Sequence, residues 1–195
     1  MMYKVNDIFY SLQGEGRNTG RAAVFIRFAG CNLHCPFCDT QFDDYREMSL
    51  SDILQVIRSY KARFIVLTGG EPTLQVDDLF VDVLHQNGYE VAMETNGTRQ
   101  APKNIDWLTV SPKGNTSVIR QCQELKVVFE ADTPEVHQHI ERLGLQIKAD
   151  CYYLQPCDVG DTLLTQQITD ACVDYIKHHP KWILSLQTHK LAHFK

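Results

Sequence analysis

The sequence predicts an α/β fold: one domain over residues 1–195, a partial (β/α) barrel whose strands are mostly parallel. Two observations predict it. Short apolar runs rich in β-branched residues alternate with stretches of helical spacing. Polar residues collect at the ends of those runs, where parallel α/β proteins bind their ligands.

Each element follows from its own pattern. Ala23 to Phe28 reads as the first strand. Leu50, Ile53, Leu54 and Ile57 keep helical spacing, and Phe64 to Leu67 is a second strand. Val76, Phe80, Val83 and Leu84 make another helical stripe, followed by strands at Glu90 to Met93, Trp107 to Val110 and Leu125 to Phe129. Thr133-Pro134-Glu135 opens a helix, with threonine as N-cap and proline at the first helical position. Val136, Ile140 and Leu143 continue its apolar face. A short strand at Tyr152 to Leu154 precedes a long helix carrying Leu164, Ile168, Ala171, Cys172 and Tyr175, and Trp182 to Leu186 is the last strand. Such alternation argues for a parallel sheet, which can curl into a partial barrel.

Composition excludes several function classes. Hydrophobic residues make up 44% and charged residues 22%, an ordinary globular balance. A net charge of −5 gives no electrostatic footprint for nucleic acid. No apolar run is long enough to span a membrane. Met1 to Tyr10 lacks a basic region followed by an apolar stretch, so no secretory signal is expected. The seven cysteines are not spaced as a secreted disulfide framework, and a reducing cytoplasm is the expected compartment.

The chemistry is concentrated in Cys31-Asn-Leu-His-Cys35-Pro-Phe-Cys38. Three thiolates so close together suit a [4Fe–4S] cluster with one iron left open to a non-protein ligand. A Cys3His zinc site and three ordinary buried thiols are the alternatives. His34 sits directly before Cys35, where adjacent side chains do not easily converge on one ion. Cys122, Cys151, Cys157 and Cys172 are scattered and read as structural thiols.

Strand ends supply partners for that loop: Thr68-Gly69-Gly70-Glu71, Glu94-Thr95-Asn96-Gly97, Ser111-Pro112-Lys113, Gln155-Pro156 and Gln187-Thr188-His189-Lys190. Together with the cysteines they predict a single site on one rim. Arg27 interrupts an apolar strand, and Ile26 and Phe28 point away from it. Facing the interior, it needs a carboxylate, because an unpaired buried charge is costly. A substrate carboxylate in bidentate contact can supply one, and so can Glu15 or Glu94 in a structural ion pair.

These residues resemble the radical S-adenosylmethionine (SAM) enzymes, through Cys31-x3-Cys35-x2-Cys38 and Gly69-Gly70-Glu71-Pro72. Within that superfamily the chain is similar to the 7-carboxy-7-deazaguanine synthases. The similarity covers Leu12-Gln13-Gly14-Glu15-Gly16, Cys38-Asp39-Thr40, Glu94 to Thr98, Ser111 to Lys113 and Gln187 to Lys190. It implies a lyase of 7-deazapurine (queuosine) biosynthesis that converts 6-carboxy-5,6,7,8-tetrahydropterin to 7-carboxy-7-deazaguanine and ammonia. A [4Fe–4S] cluster, SAM and Mg2+ would be its cofactors, a reductase its electron donor, and a homodimer its assembly. Cys31, Cys35 and Cys38 would hold the cluster. Phe37, Cys38, Asp39, Gly70, Glu94, Asn96, Ser111, Pro112, Lys113 and Gln155 would face SAM, and Thr40 would bind magnesium. Leu12, Gln13, Gly14, Glu15, Arg27, Thr68, His189 and Lys195 would meet the pterin. The rival functions are a radical SAM activase acting on a glycyl-radical partner and a zinc-stabilised module without catalysis.

Overall fold

The structure is a computed structural model and describes all residues except 39–40, 42–43 and 115–116. Nine strands form one sheet: β1 (Met2–Leu12), β2 (Ala22–Phe28), β3 (Arg46–Ser49), β4 (Phe64–Gly69), β5 (Glu90–Thr95), β6 (Trp107–Val110), β7 (Gln121–Phe129), β8 (Lys148–Pro156) and β9 (Ile183–Leu184). Their order is β3-β1-β2-β4-β5-β6-β7-β8-β9. From β2 to β9 every pairing is parallel, whereas β1 runs antiparallel to both its neighbours. Five α-helices accompany the strands: α1 (Leu50–Ile57), α2 (Asp78–Gln86), α3 (Pro134–Gln146), α4 (Thr162–His178) and α5 (Thr188–Ala192).

The helix starts are encoded locally. Ser49 and Asp52 form a reciprocal capping box at α1. Asp77, Thr133 and Asp161 cap α2, α3 and α4 by accepting from Phe80, Val136 and Leu164 main-chain N–H groups. The helices cover the outer face of the sheet in two cores. One contains Ile26, Phe28, Leu67, Phe80 and Met93, and the other contains Leu125, Val127, Phe129, Ile140 and Cys172. Each such large side chain contributes roughly 1.5–3 kcal/mol on burial. Among them, Cys122 and Cys172 are buried thiols, pushed by burial up to about 12 and so inert near neutral pH.

The inner face is different. Phe9, Ala23, Phe25, Phe64, Val66 and Ala92 make an apolar floor. Above it, toward the carboxyl ends of the parallel strands, polar residues replace them. Register sets Arg27 of β2 beside Thr68 of β4, and Val128 of β7 beside Gln155 of β8. The chain between β9 and the C-terminal side of α5 bridges the gap between the first and last strands. Thr188 donates from its N–H (3.0 Å) and its hydroxyl (2.8 Å) to the Gly14 carbonyl, and Gly16 N–H donates to Ser185 Oγ at 3.0 Å.

Two expectations need correction. The strand ending at Phe28 is the second, because the eleven-residue β1 precedes it. A register shift between Val5 and Asp7 breaks the period-two pattern that would have exposed β1. The last strand covers only Ile183–Leu184, since Ser185 to Gln187 already turn into α5.

Candidate functional site

A cavity of about 520 Å3 opens at the carboxyl ends of the strands. Cys31, Cys35 and Cys38 line it from the loop after β2, with Leu33 and Phe37. Among the described residues none of the three is joined in a disulfide. The Cys38 N–H donates to the Cys35 carbonyl at 3.1 Å, a turn that keeps those two residues together. Burial raises the Cys35 thiol; Lys113 opposes this, while the nearby Cys38 and Cys31 add to it. Leu33 N–H lies 3.5 Å and Asn96 Nδ2 3.9 Å from Cys31 Sγ, so the sulfur already has donors. Among the described residues no three His, Cys, Asp or Glu side chains converge on a point fit for a single metal ion. A donor set of three neighbouring thiols opening on one cavity fits an iron–sulfur cluster, a larger group that thiolates bind.

The Gly69-Gly70-Glu71 turn supports this loop from below. A Cβ on Gly70 would stand 1.9 Å from the Gly30 carbonyl oxygen, directly before Cys31. Gly69 has φ 126°, and its missing Cβ would meet the Phe28 main chain at 2.3 Å. Gly70 N–H and Glu71 N–H donate to the carbonyls of Phe28 and Gly30 at 2.9 and 2.8 Å. The two glycines therefore let the β4 loop pack against the start of the cysteine loop. Glu71 is fully buried and satisfied by Thr73 N–H and hydroxyl, the Thr95 hydroxyl and Asn96 N–H, at 2.7–3.1 Å. It is a brace between two strand ends.

The opposite end of the cavity is polar and interlocked. Glu15 pairs with Lys126 of β7 and accepts from Gln187 Nε2 (2.9 Å) and Gln155 Nε2 (3.2 Å). Burial would raise the Glu15 carboxyl; the Lys126 ammonium and the Lys126 and Gln187 hydrogen bonds outweigh it and hold the group down to about 2. Burial would correspondingly lower Lys126, yet Glu15 and Glu94 drive it above its ordinary value. Gln13 Nε2 donates to Glu94 Oε1 at 2.9 Å, and the Thr68 hydroxyl to Glu94 Oε2 at 3.3 Å. Lys113 donates to Ser111 Oγ at 2.7 Å and is lowered, chiefly by burial and then by Lys126.

Arg27 lines the same cavity, and its Nε is buried without a hydrogen-bond partner among the described residues. The guanidinium carbon lies 5.4 Å from the centre of the Phe9 ring. Arg27 pairs with neither Glu15 nor Glu94; Glu15 is taken by Lys126. His189 lines the cavity from α5, against Gly14, where a Cβ would come 2.5 Å from its Nδ1. Lys195 reaches the rim, bridging Asp7 at 2.6 Å and standing 4.7 Å from the Phe9 ring centre.

Thus Leu12, Gln13, Gly14, Glu15, Arg27, Thr68, Gly70, Glu94, Asn96, Ser111, Lys113, Gln155, His189 and Lys195 line one cavity with the cysteines and Phe37. Pro112 does not: it is buried between two lining residues. Asp39 and Thr40 lie outside the described residues. Gln187 and Lys190 of the last strand-end run line the wall as the rim reading expects, whereas sequence reasoning missed Phe9, Phe25, Lys126 and Asp158. Lys126 carried the same signal as Arg27, a cation inside an apolar strand.

Known proteins sharpen this. The radical SAM superfamily pattern matches residues 25–120. A 7-carboxy-7-deazaguanine synthase from Bacteroides thetaiotaomicron is 47% identical over 98% of each chain. The chain belongs to the 7-carboxy-7-deazaguanine synthase family of radical SAM enzymes. A second such synthase, from Bradyrhizobium diazoefficiens, is 42% identical over 97% of this chain and 98% of its own. The crystal structure of QueE from Escherichia coli superposes with a TM-score of 0.80 at 31% identity, over 96% of this chain and 94% of that one. Membership of this family implies a [4Fe–4S] cluster and SAM, which the thiol set and the cavity accommodate.

Proposed function

We propose that this chain converts 6-carboxy-5,6,7,8-tetrahydropterin to 7-carboxy-7-deazaguanine and ammonia, a step of 7-deazapurine (queuosine) biosynthesis. One observation carries the reading. The cavity that contains the three thiols also contains Arg27, whose buried Nε lacks a partner among the described residues. A guanidinium in that state calls for an anionic ligand, and a planar carboxylate matches it in bidentate geometry.

Cys31, Cys35 and Cys38 would hold the cluster as thiolates, and Phe37, Cys38, Gly70, Glu94, Asn96, Ser111, Lys113 and Gln155 would form the SAM wall; Pro112 lies behind Ser111 and Lys113, and Asp39 lies outside the described residues. When bound there, the cluster and SAM would supply radical chemistry, abstraction of a hydrogen atom from the substrate. Arg27, with His189 and Lys195 near it, anchors the substrate carboxylate. Gln13 and Glu15 read the N–H-bearing edge of the heterocycle, and Leu12, Gly14 and Thr68 complete the pocket. The Gln187 to Lys195 segment, docked on Gly14 and Glu15, closes that end against water, which protects a reactive carbon radical from side reactions. Thr40, outside the described residues, would be the ligand of a Mg2+ ion, which would supply positive charge for orienting a carboxylated substrate. We further infer a reducing cytoplasm, a reductase as electron donor and a homodimer, from the family resemblance.

The test is anaerobic turnover of the reduced protein with SAM and carboxytetrahydropterin, with and without magnesium. Ammonia and the deazapurine should form in equal amounts, SAM should be regenerated, and omission of magnesium should slow the reaction. SAM cleavage with neither product would overturn the reading and favour a glycyl-radical activase.

A further inference from the structure

Lys126 is an unusual residue to find where it is. It is 5% exposed, in the middle of β7, with Leu125 and Val127 on either side buried in the helix-facing core. Its side chain therefore points to the inner face, where it lines the cavity. A buried ammonium is costly unless paired. Its hydrogen-bond partner among the described residues is Glu15, 111 positions away on the loop after β1. Glu15 in turn takes amides from Gln155 and Gln187 on one oxygen and Lys126 on the other. A carboxylate offers about four acceptor sites, so these three donors leave room for a ligand N–H on the oxygen beside Lys126.

We propose that Lys126 is a positioning residue for substrate selection: it fixes Glu15 as an anion, in one orientation, facing a ligand edge that donates N–H. The inference rests on the pterin reading above, since a 2-aminopyrimidinone edge is such an edge. Lys126 acts through Glu15 on binding and selectivity; the reacting carbon is served by other groups. A heterocycle that presents a carbonyl at this edge would set oxygen against a fixed negative charge and be rejected.

The probe is 6-carboxypterin, the oxidised and unreactive relative of the substrate, titrated by its fluorescence into the anaerobic, cluster-loaded full chain. The charged groups around Glu15 are Lys126 and Glu124 on β7, Lys113 after β6, Glu94 on β5 and His189 on α5. His189 is common to wild type and variants, so its titration cancels in the ratio of their dissociation constants. Lys126→Met also removes a positive charge beside Glu94 and Glu124, and Glu15→Gln measured alongside separates their response from that of Glu15. Lys126→Met should bind about 10- to 150-fold more weakly near neutral pH. The deficit should widen from about pH 7.5 to about pH 5.5, because burial without the counter-ion lets Glu15 take up a proton. Lys126→Arg should restore both the affinity and the flat ratio. A purely structural role predicts a pH-independent loss that arginine does not rescue, and that result, or an unchanged Lys126→Met, overturns the proposal. Should Lys126→Met not fold, Glu15→Gln keeps the shape without the charge and must show the same weakening; wild-type binding by it also overturns the proposal. A wild type that does not bind 6-carboxypterin at all refutes the pterin reading itself.

Discussion

The two ends of the cavity are built in opposite ways. At one end, three thiols come from a single short loop, with Cys38 exposed and Cys31 and Cys35 half-buried. At the other, Glu15 is held by side chains 111, 140 and 172 positions away, from β7, β8 and the segment before α5. The thiol end is local and waits for an inorganic group to complete it. The Glu15 end is a lattice of long-range polar contacts already closed in the protein. The first therefore adds reactivity at little structural consequence, whereas the second ties recognition to folding.

The largest effect expected from this contrast is on the thiol end. Cys31→Ala should lower turnover by at least about 1000-fold, since residues that act as a unit fail together. Yet Cys31 belongs to neither packed core, so the unfolding free energy should move within about 0.5 kcal/mol. Iron analysis, anaerobic turnover and a thermal scan measure both halves. Retained iron and turnover would remove Cys31 from the ligand set, and a collapsed thermal midpoint would refute the claim that the loop is structurally independent.

Arg27 stands between the two ends and should show the next largest effect. Arg27→Gln keeps length and polarity but removes the charge and the fork. Affinity for 6-carboxypterin should fall by about 30-fold or more, the cost of leaving a desolvated charge without its partner. Pterin lacking the carboxylate should bind wild type and variant alike. Equal losses for both ligands would mean that Arg27 supports the pocket wall and does not meet the carboxylate.

The same contrast explains what was legible in the sequence. The cysteine loop could be read because its chemistry lies within one stretch, and the strand ends because parallel strands deliver their last residues to one rim. Arg27 was legible as a cation in an apolar strand. Lys126 sat in a run, Leu-Lys-Val-Val-Phe, whose apolar members dominate the pattern, and Glu124 fell just outside the expected strand boundary. The Glu15 to Lys126 pair depends on the closing of the barrel, which no local pattern reports. β1 was lost to its register shift, and α5, with five residues, is too short for a helical period. For the Glu15 to Lys126 pair the deciding partner is remote in sequence; for β1 and α5 the local pattern itself is interrupted or too short.

If the Glu15 lattice joins recognition to folding, then breaking it must cost stability with a particular pH signature. Glu15→Ala leaves the Lys126 ammonium buried without its counter-ion, a change worth about 3–5 kcal/mol near neutral pH. For a chain of this size that is roughly 6–20 °C in thermal midpoint. The folded carboxyl is depressed from 4.5 to about 2. Stability from the ionised pair is thus fully present above 4.5 and is lost as the pH falls from there toward about 2. The gap between wild type and Glu15→Ala should accordingly be constant from neutrality down to about pH 5 and shrink steadily below it, because protonated Glu15 no longer compensates Lys126. Urea unfolding of both proteins across that range gives the measurement. A gap that stayed constant into the acid range would assign the loss to packing and leave the ion pair without the role given it here; Cys31→Ala, measured alongside, should show no gap at any pH.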